Sequence, residues 1–170
     1  MDTLSIPSPK YNLNGKWNLY YHLPHDSKWD LSSYTIILGD IDYAEKVNAL
    51  NESIHDNIIK SCMLFVMRKG ITPMWEDPKN RDGGCFSYKV VNKQVVELWK
   101  TIFCMMCGET LTTNLSHHHH INGITISPKK NFCILKIWLD TTEFQDPNFI
   151  AKIPNLPIQG CIFKKHDPEF

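Results

Sequence analysis

Short β-type runs recur from one end of this chain to the other, and that recurrence constrains the fold more than any other feature. Trp17 to Leu23 (WNLYYHL) alternates and is rich in aromatics, the pattern of a half-buried strand. Leu31–Leu38, Ser61–Arg68, Cys85–Val91, Gly123–Ser127, Phe132–Leu139 and Cys161–Lys164 are also of strand length and are apolar or alternating. Helical spacing appears from Asp42 to Ile54, through Ala44, Val47, Leu50 and Ile54. It returns more strongly at Val95, Leu98, Trp99, Ile102, Phe103 and Met106, with Gly108 as the stop signal. Asp146-Pro147 suits the N-cap and first turn of a short last helix. Strands that do not alternate strictly with helices predict the α+β class, with a mainly antiparallel sheet and helices packed on one face. The pattern occupies one domain over residues 13–170, behind a flexible or loosely docked tail over 1–12.

Composition then excludes several classes of function. The formal net charge is zero, so a wholesale DNA or membrane binder is not expected, and any nucleic-acid contact should be local. No stretch approaches the roughly 20 apolar residues of a membrane span. Met1 to Tyr11 holds two prolines and no apolar run, which predicts no signal peptide and a cytoplasmic location. The six cysteines therefore read as reduced, mostly buried thiols. Cys104 and Cys107 form a CxxC pair near the end of a helix, where the dipole disfavours thiolate, so they read as helix-face residues. His117–His120 lacks carboxylate or cysteine partners at ligand spacing and reads as a surface loop, with no metal site and no cofactor expected. An enzyme using Cys104, Cys107 or the histidine run is the rival from another class. It is disfavoured because no nucleophile, base and orienting group stand at local spacing.

Two tryptophans stand apart from the periodic elements. Trp75 follows Pro73-Met74 and precedes Glu76, Asp77 and Pro78, in a charged loop stiffened by proline. Trp29 follows Asp26-Ser27-Lys28 and precedes Asp30. A tryptophan usually plugs the rim of a core. Two of them in polar loops can instead form opposed stacking surfaces for a base.

The string Gly70-Ile71-Thr72-Pro73-Met74-Trp75-Glu76-Asp77, continued by Pro78 to Gly84, resembles the signature loop of the eukaryotic translation initiation factor 4E family. Further landmarks fall in order: the Trp17 strand, Ser27-Lys28-Trp29, Trp99 followed by Cys104–Glu109, Lys136-Ile137-Trp138, and Phe163–His166. The resemblance spans roughly residues 11–166 and implies a curved sheet with about three helices on its convex side. It implies a binding module rather than an enzyme. The 7-methylguanosine cap of messenger RNA would lie on the concave side, its base stacked between Trp29 and Trp75. Methylation at N7 makes the base cationic, which adds a cation–π component of about 0.5–2 kcal/mol. By the same resemblance Glu76 accepts the guanine N1 and N2 protons, Trp138 touches the N7-methyl, and Lys129, with Lys130 beside it, meets the phosphates.

The chain departs from the family at other positions. A commonly basic position after Gly83-Gly84 is Cys85, and a family lysine falls at Ile134, with Lys136 the nearest replacement. On the face where the family docks its 4G scaffold, a dominant tryptophan is matched by Asn48 and two leucines by Lys100 and Cys104. Leu13 and Trp99 complete that predicted partner face. The resemblance thus implies a monomer that binds capped messenger RNA and a 4G-like or dedicated partner, without a membrane. It would act in translation initiation or by sequestering caps. Such rewriting would suit a divergent viral or protist member.

Overall fold

Each β-type run becomes a strand of one antiparallel sheet. The computed structural model describes residues 5–169, so the expected loose tail lies in part, at residues 1–4, outside the described residues. Nearer the domain the chain is tied down. The Tyr43 hydroxyl donates to the Pro7 carbonyl at 2.8 Å, and the Lys10 and Tyr11 amides donate to Glu45.

In chain order the elements are β1 (Asn12–His22), β2 (Tyr34–Tyr43), α1 (Ala44–Ser53), α2 (Asp56–Ser61), β3 (Met63–Arg68), β4 (Gly84–Val91), α3 (Asn92–Cys107), β5 (Ile121–Pro128), β6 (Phe132–Leu139) and β7 (Ile162–Lys165). The strands lie in the order β2-β1-β3-β5-β6-β4-β7. The α+β class and the curved antiparallel sheet expected from sequence are therefore present.

The period of two sorts each strand between the faces. Trp17 and Leu19 of β1, and Leu135, Ile137 and Leu139 of β6, join the large core with α1, α2 and α3. Tyr20 and Trp138, displaced by one residue, join a smaller cluster on the opposite face with Phe65, Met67, Ile71 and Cys85. Helix α3 buries Val95, Leu98, Trp99, Ile102, Phe103, Met106 and Cys107, a continuous stripe at three- and four-residue spacing. It ends where expected, but the left-handed residue that follows is Glu109 (φ 58°), while Gly108 keeps φ −83°. Glycine serves here by space: a Cβ on Gly108 would stand 3.2 Å from the Cys104 carbonyl oxygen.

Several boundaries differ from the sequence expectation. Leu31–Ser33 is a 3-10 turn rather than the start of a strand, because the Asp30 carboxylate accepts the Ser32 amide at 2.9 Å and caps it. The first helix gives up Asp42 and Tyr43 to β2. Helix α2 was not anticipated: it is six residues long, and Ile59 alone of them is buried, too little for periodicity to register. The last helix is a single 3-10 turn, Pro147–Phe149, with Asp146 at its cap as expected. The histidine run is not simply a solvated loop. It forms a 3-10 helix, Leu115–His120, in which His118 is 2% exposed and Arg68 donates to both its carbonyl and its Nδ1.

Candidate ligand-binding site

With the helices on one face, the other face of the sheet carries a cavity of about 360 Å³, within the range of small-ligand sites. Its floor is apolar and aromatic, from Met63 and Phe65 of β3 and Trp138 of β6. Trp29, Trp75 and Glu76 line it from two different loops, and Tyr34 and Lys136 complete the wall. The sequence-predicted base-binding residues Trp29, Trp75, Glu76 and Trp138 are thus brought together at one place.

The Trp75 loop owes its shape to two residues inside the signature string. Asp77 accepts both the amide and the hydroxyl of Thr72, at 2.7 and 2.8 Å, and the Lys79 amide at 2.9 Å. Asn80 is fully buried; its amide donates to the Thr72 and Met74 carbonyls, and its oxygen accepts from Asn122. Gly83 and Gly84 then pass close to other strands. A Cβ on Gly83 would lie 1.9 Å from the Leu139 carbonyl oxygen, and one on Gly84 2.6 Å from the Phe163 ring. No side chain fits at either position, which is the physical reason for the double glycine.

His166, 7% exposed, packs behind Trp75 with ring centroids 5.8 Å apart and planes 16° from parallel. It also lies 4.8 Å from the Trp138 ring, and its Nδ1 donates to the Asn80 carbonyl at 2.6 Å. Burial lowers its pKa below the ordinary imidazole value, with Lys136 adding to the shift. Glu76 sits half-buried at the rim, and its Oε1 accepts the Glu169 backbone amide at 3.4 Å. Its charge, after burial, also helps to raise the pKa of the Tyr34 phenol.

The lysines divide between the cavity and the strands and hairpin around it. Lys129 and Lys130 are exposed at the tip of the β5–β6 hairpin, and neither lines the cavity. The strand geometry explains this: Lys136, two residues before Trp138, shares its face of β6 and reaches the cavity, whereas the hairpin tip lies beyond β6. Lys164 of β7 places its Nζ 5.5 Å from the centre of the Trp75 ring. Cys85, where the family is commonly basic, is 1% exposed, and burial raises its thiol pKa against the pull of Lys136 and Lys164. It is a neutral group under the cavity floor.

On the helix side, Asn48 and Cys104 are exposed, while Lys100 and Leu13 are half-buried. Lys100 stands 4.0 Å from Asp56, and Asn51 donates to the Lys100 carbonyl and to Cys104 Sγ, both at 3.2 Å. Trp99 corrects the sequence expectation: at 0% exposure it belongs to the core under α3 and cannot touch a partner. Its neighbours in the helical stripe, Val95, Leu98, Ile102 and Phe103, all point inward, and Trp99 follows them. The thiols of Cys104 and Cys107 both have raised pKa values, chiefly through burial, so thiolate chemistry is disfavoured. Among the described residues no group of three or more His, Cys, Asp or Glu side chains is placed to hold a metal ion.

Lys164 stood in the Phe163–His166 landmark, whereas His22, Tyr34 and Asn80 were given no role by sequence reasoning. Asn80 lies inside the signature string, and that was its only signal. The others acquire their roles through strand pairing and loop return, which local patterns do not encode.

Together these features define an α+β domain whose open sheet face holds an aromatic-walled cavity with Glu76 and Glu169 at its lining and lysines beside it. The family profile of eukaryotic initiation factor 4E matches residues 12–157, and the chain belongs to that family. It is 30% identical over 152 residues to eukaryotic translation initiation factor 4E of Saccharomyces cerevisiae, covering 85% of this chain and 67% of that protein. A 63-residue stretch is 47% identical to the factor 4E homolog of Acanthamoeba polyphaga mimivirus, covering 37% of this chain and 23% of that protein. The chain thus spans about two thirds or less of the length of these relatives. Among solved structures, Ascaris suum eIF4E-3 with m7G cap superposes with a TM-score of 0.69 at 19% identity, covering 79% of this chain and 76% of that one. Caenorhabditis elegans eIF4E-3 with the 4E-binding protein Mextli and cap analog gives 0.68, also at 19% identity, over 78% and 75%.

Proposed function

We propose that this chain binds the 7-methylguanosine cap of messenger RNA and acts in translation initiation in the cytoplasm. The observation that carries the reading is the convergence of Trp29, Trp75 and Glu76, from two separate loops, on one cavity. A flat cationic base fits between two indoles, where each contributes stacking and cation–π attraction. Glu76 lines the cavity beside Trp75, so a base stacked there would bring its N1 and N2 protons to this carboxylate. The family membership supports the same reading, as do structural neighbours solved with m7G cap and cap analog. Lys136, which lines the cavity, and Lys164, beside the Trp75 ring, supply cations for the phosphates, together with Lys129 and Lys130 of the β5–β6 hairpin tip. The chain works as a binding module and as a monomer. The helix side, through Leu13, Asn48, Lys100 and Cys104, receives a 4G-like or dedicated partner.

Retention on 7-methyl-GTP resin tests the reading, with GTP as the competitor. The wild type should be displaced by 7-methyl-GTP and not by GTP. Trp75→Ala and Glu76→Ala should each be lost from the resin while keeping the wild-type circular dichroism. Losing a charge-assisted pair costs on the order of 1.5–3 kcal/mol. Equal displacement by GTP, or wild-type retention of both variants, would put the pocket elsewhere.

A further inference from the structure

Trp29 presents a mechanical problem. It is 51% exposed, on a loop whose residues 23–28 carry little buried surface, and no strand or helix holds it directly. A half-exposed indole on such a loop samples many orientations, and a ligand that must order it binds more weakly than one that meets a fixed wall.

His22 addresses that problem. It is the last residue of β1, on the same face as Tyr20, and is 0% exposed. Its ring lies parallel to the Trp29 indole, centroids 4.1 Å apart and planes 3° from parallel. Tyr34 meets both rings edge-on, at 5.1 Å from His22 and 6.4 Å from Trp29, and itself packs against Phe65 of the floor at 5.2 Å. His22 Nδ1 lies 2.9 Å from the Leu23 carbonyl and Nε2 2.7 Å from the Lys28 carbonyl. Those carbonyls stand at the two ends of the loop that carries Trp29.

We propose that His22 is the positioning residue for Trp29: its ring backs the indole and its two nitrogens lie against the carbonyls at the two ends of the 23–28 loop, one of which its N–H holds. No other side chain combines a planar ring with nitrogens on opposite edges. Phenylalanine would stack without tying, and an amide would tie without stacking. The far wall repeats the arrangement, since His166 packs behind Trp75 and donates to the Asn80 carbonyl of that tryptophan's own loop.

The ligand readout of the test rests on the cap-binding reading, so a ligand-free readout accompanies it. The full chain is labelled with 5-fluorotryptophan, and the Trp29 fluorine resonance is assigned through Trp29→Phe. In the wild type that resonance should be a single narrow line. In His22→Ala it should broaden or split while the Trp17 and Trp99 lines stay in place, and 7-methyl-GTP affinity should fall about tenfold. In His22→Phe, which keeps the stack, the line should shift and the affinity should fall about threefold. An unmoved Trp29 line and unchanged affinity in His22→Ala overturn the proposal. If His22→Ala fails to fold, a His22→Phe protein identical to wild type in line and affinity overturns it instead. A wild type that does not bind 7-methyl-GTP defeats the functional reading, and the Trp29 line then decides the positioning role alone.

Discussion

Asn80 donates one amide hydrogen to the Thr72 carbonyl and one to the Met74 carbonyl, the residues on either side of Pro73 and just ahead of Trp75. Asn80→Ala removes both donors and also leaves the Asn122 amide without one of its acceptors, all in a fully buried setting. Each buried group left unpaired costs about 1–3 kcal/mol. The expected outcome is a lower urea midpoint and a loss of 7-methyl-GTP binding larger than the stability loss alone explains, since the loop would no longer aim Trp75. Calorimetry at a temperature where the variant stays folded checks this; wild-type affinity there would show that the loop holds its shape without Asn80. Trp29 and Trp75 were legible in the sequence because large aromatics in charged loops have no core to explain them, and Glu76 came with the family resemblance of the Trp75 string. Asn80 and His22 were not, because their value lies in carbonyls that only the folded loop brings within reach. Lys136 was legible only as the nearest replacement for a family lysine. A resemblance fixes order along the chain, but the alternation of β6 decides which lysine faces the cavity.

At the scale of elements, α1, α2 and α3 meet on the side away from the cavity, and their contact carries an unusual polar seam. Asn51, 8% exposed, reaches from α1 to the Lys100 carbonyl and Cys104 Sγ of α3, and its own oxygen is buried without a partner. Lys100 leans towards Asp56 at the start of α2. An apolar partner helix laid here would have to desolvate the Lys100 amine and would find Asn48 where an aromatic anchor is wanted. A standard 4G-type peptide should therefore bind weakly, and an Asn48→Trp/Lys100→Leu double variant should bind more tightly, by calorimetry. Tight wild-type binding that the double variant leaves unchanged would show that these residues do not set partner choice. Helix α3 was legible residue by residue because its apolar stripe runs unbroken for three turns. Helix α2 was hidden because a single buried residue leaves no period to read, and Trp99, which periodicity put in the apolar stripe, was given to the partner face by the resemblance alone.

Across the whole molecule, His118 before β5 and His166 after β7 are both buried, and both have lowered pKa values. Arg68 lies over Trp17 at 4.5 Å and donates to the Ile121 carbonyl, to the His118 carbonyl and to His118 Nδ1, linking β1, β3, β5 and the 3-10 helix before β5. Burial first, then the Arg68 charge, lowers the His118 pKa from 6.5 to about 4. His166, behind Trp75, is lowered as well, again chiefly by burial. In both cases the folded state binds its proton less readily than the unfolded chain. Their contribution to stability is therefore present above the ordinary imidazole range and is lost as pH falls below it; for His118 the loss runs from about 6.5 towards 4, by up to ~1.4 kcal/mol per pH unit. The exposed carboxylates of Asp30 and Asp40, held low by the Ser32 hydroxyl and by Lys69, add their loss only below the ordinary carboxylate range. Acid destabilisation should accordingly begin at mildly acid pH, well before carboxylates titrate. Urea midpoints at about pH 7.5 and about pH 5 should differ clearly in the wild type. His118→Gln, which offers Arg68 an uncharged acceptor, should start lower but lose less between the two pH values. Equal losses in the two proteins would mean that His118 is not buried neutral, and that the Arg68 junction tolerates a second positive charge.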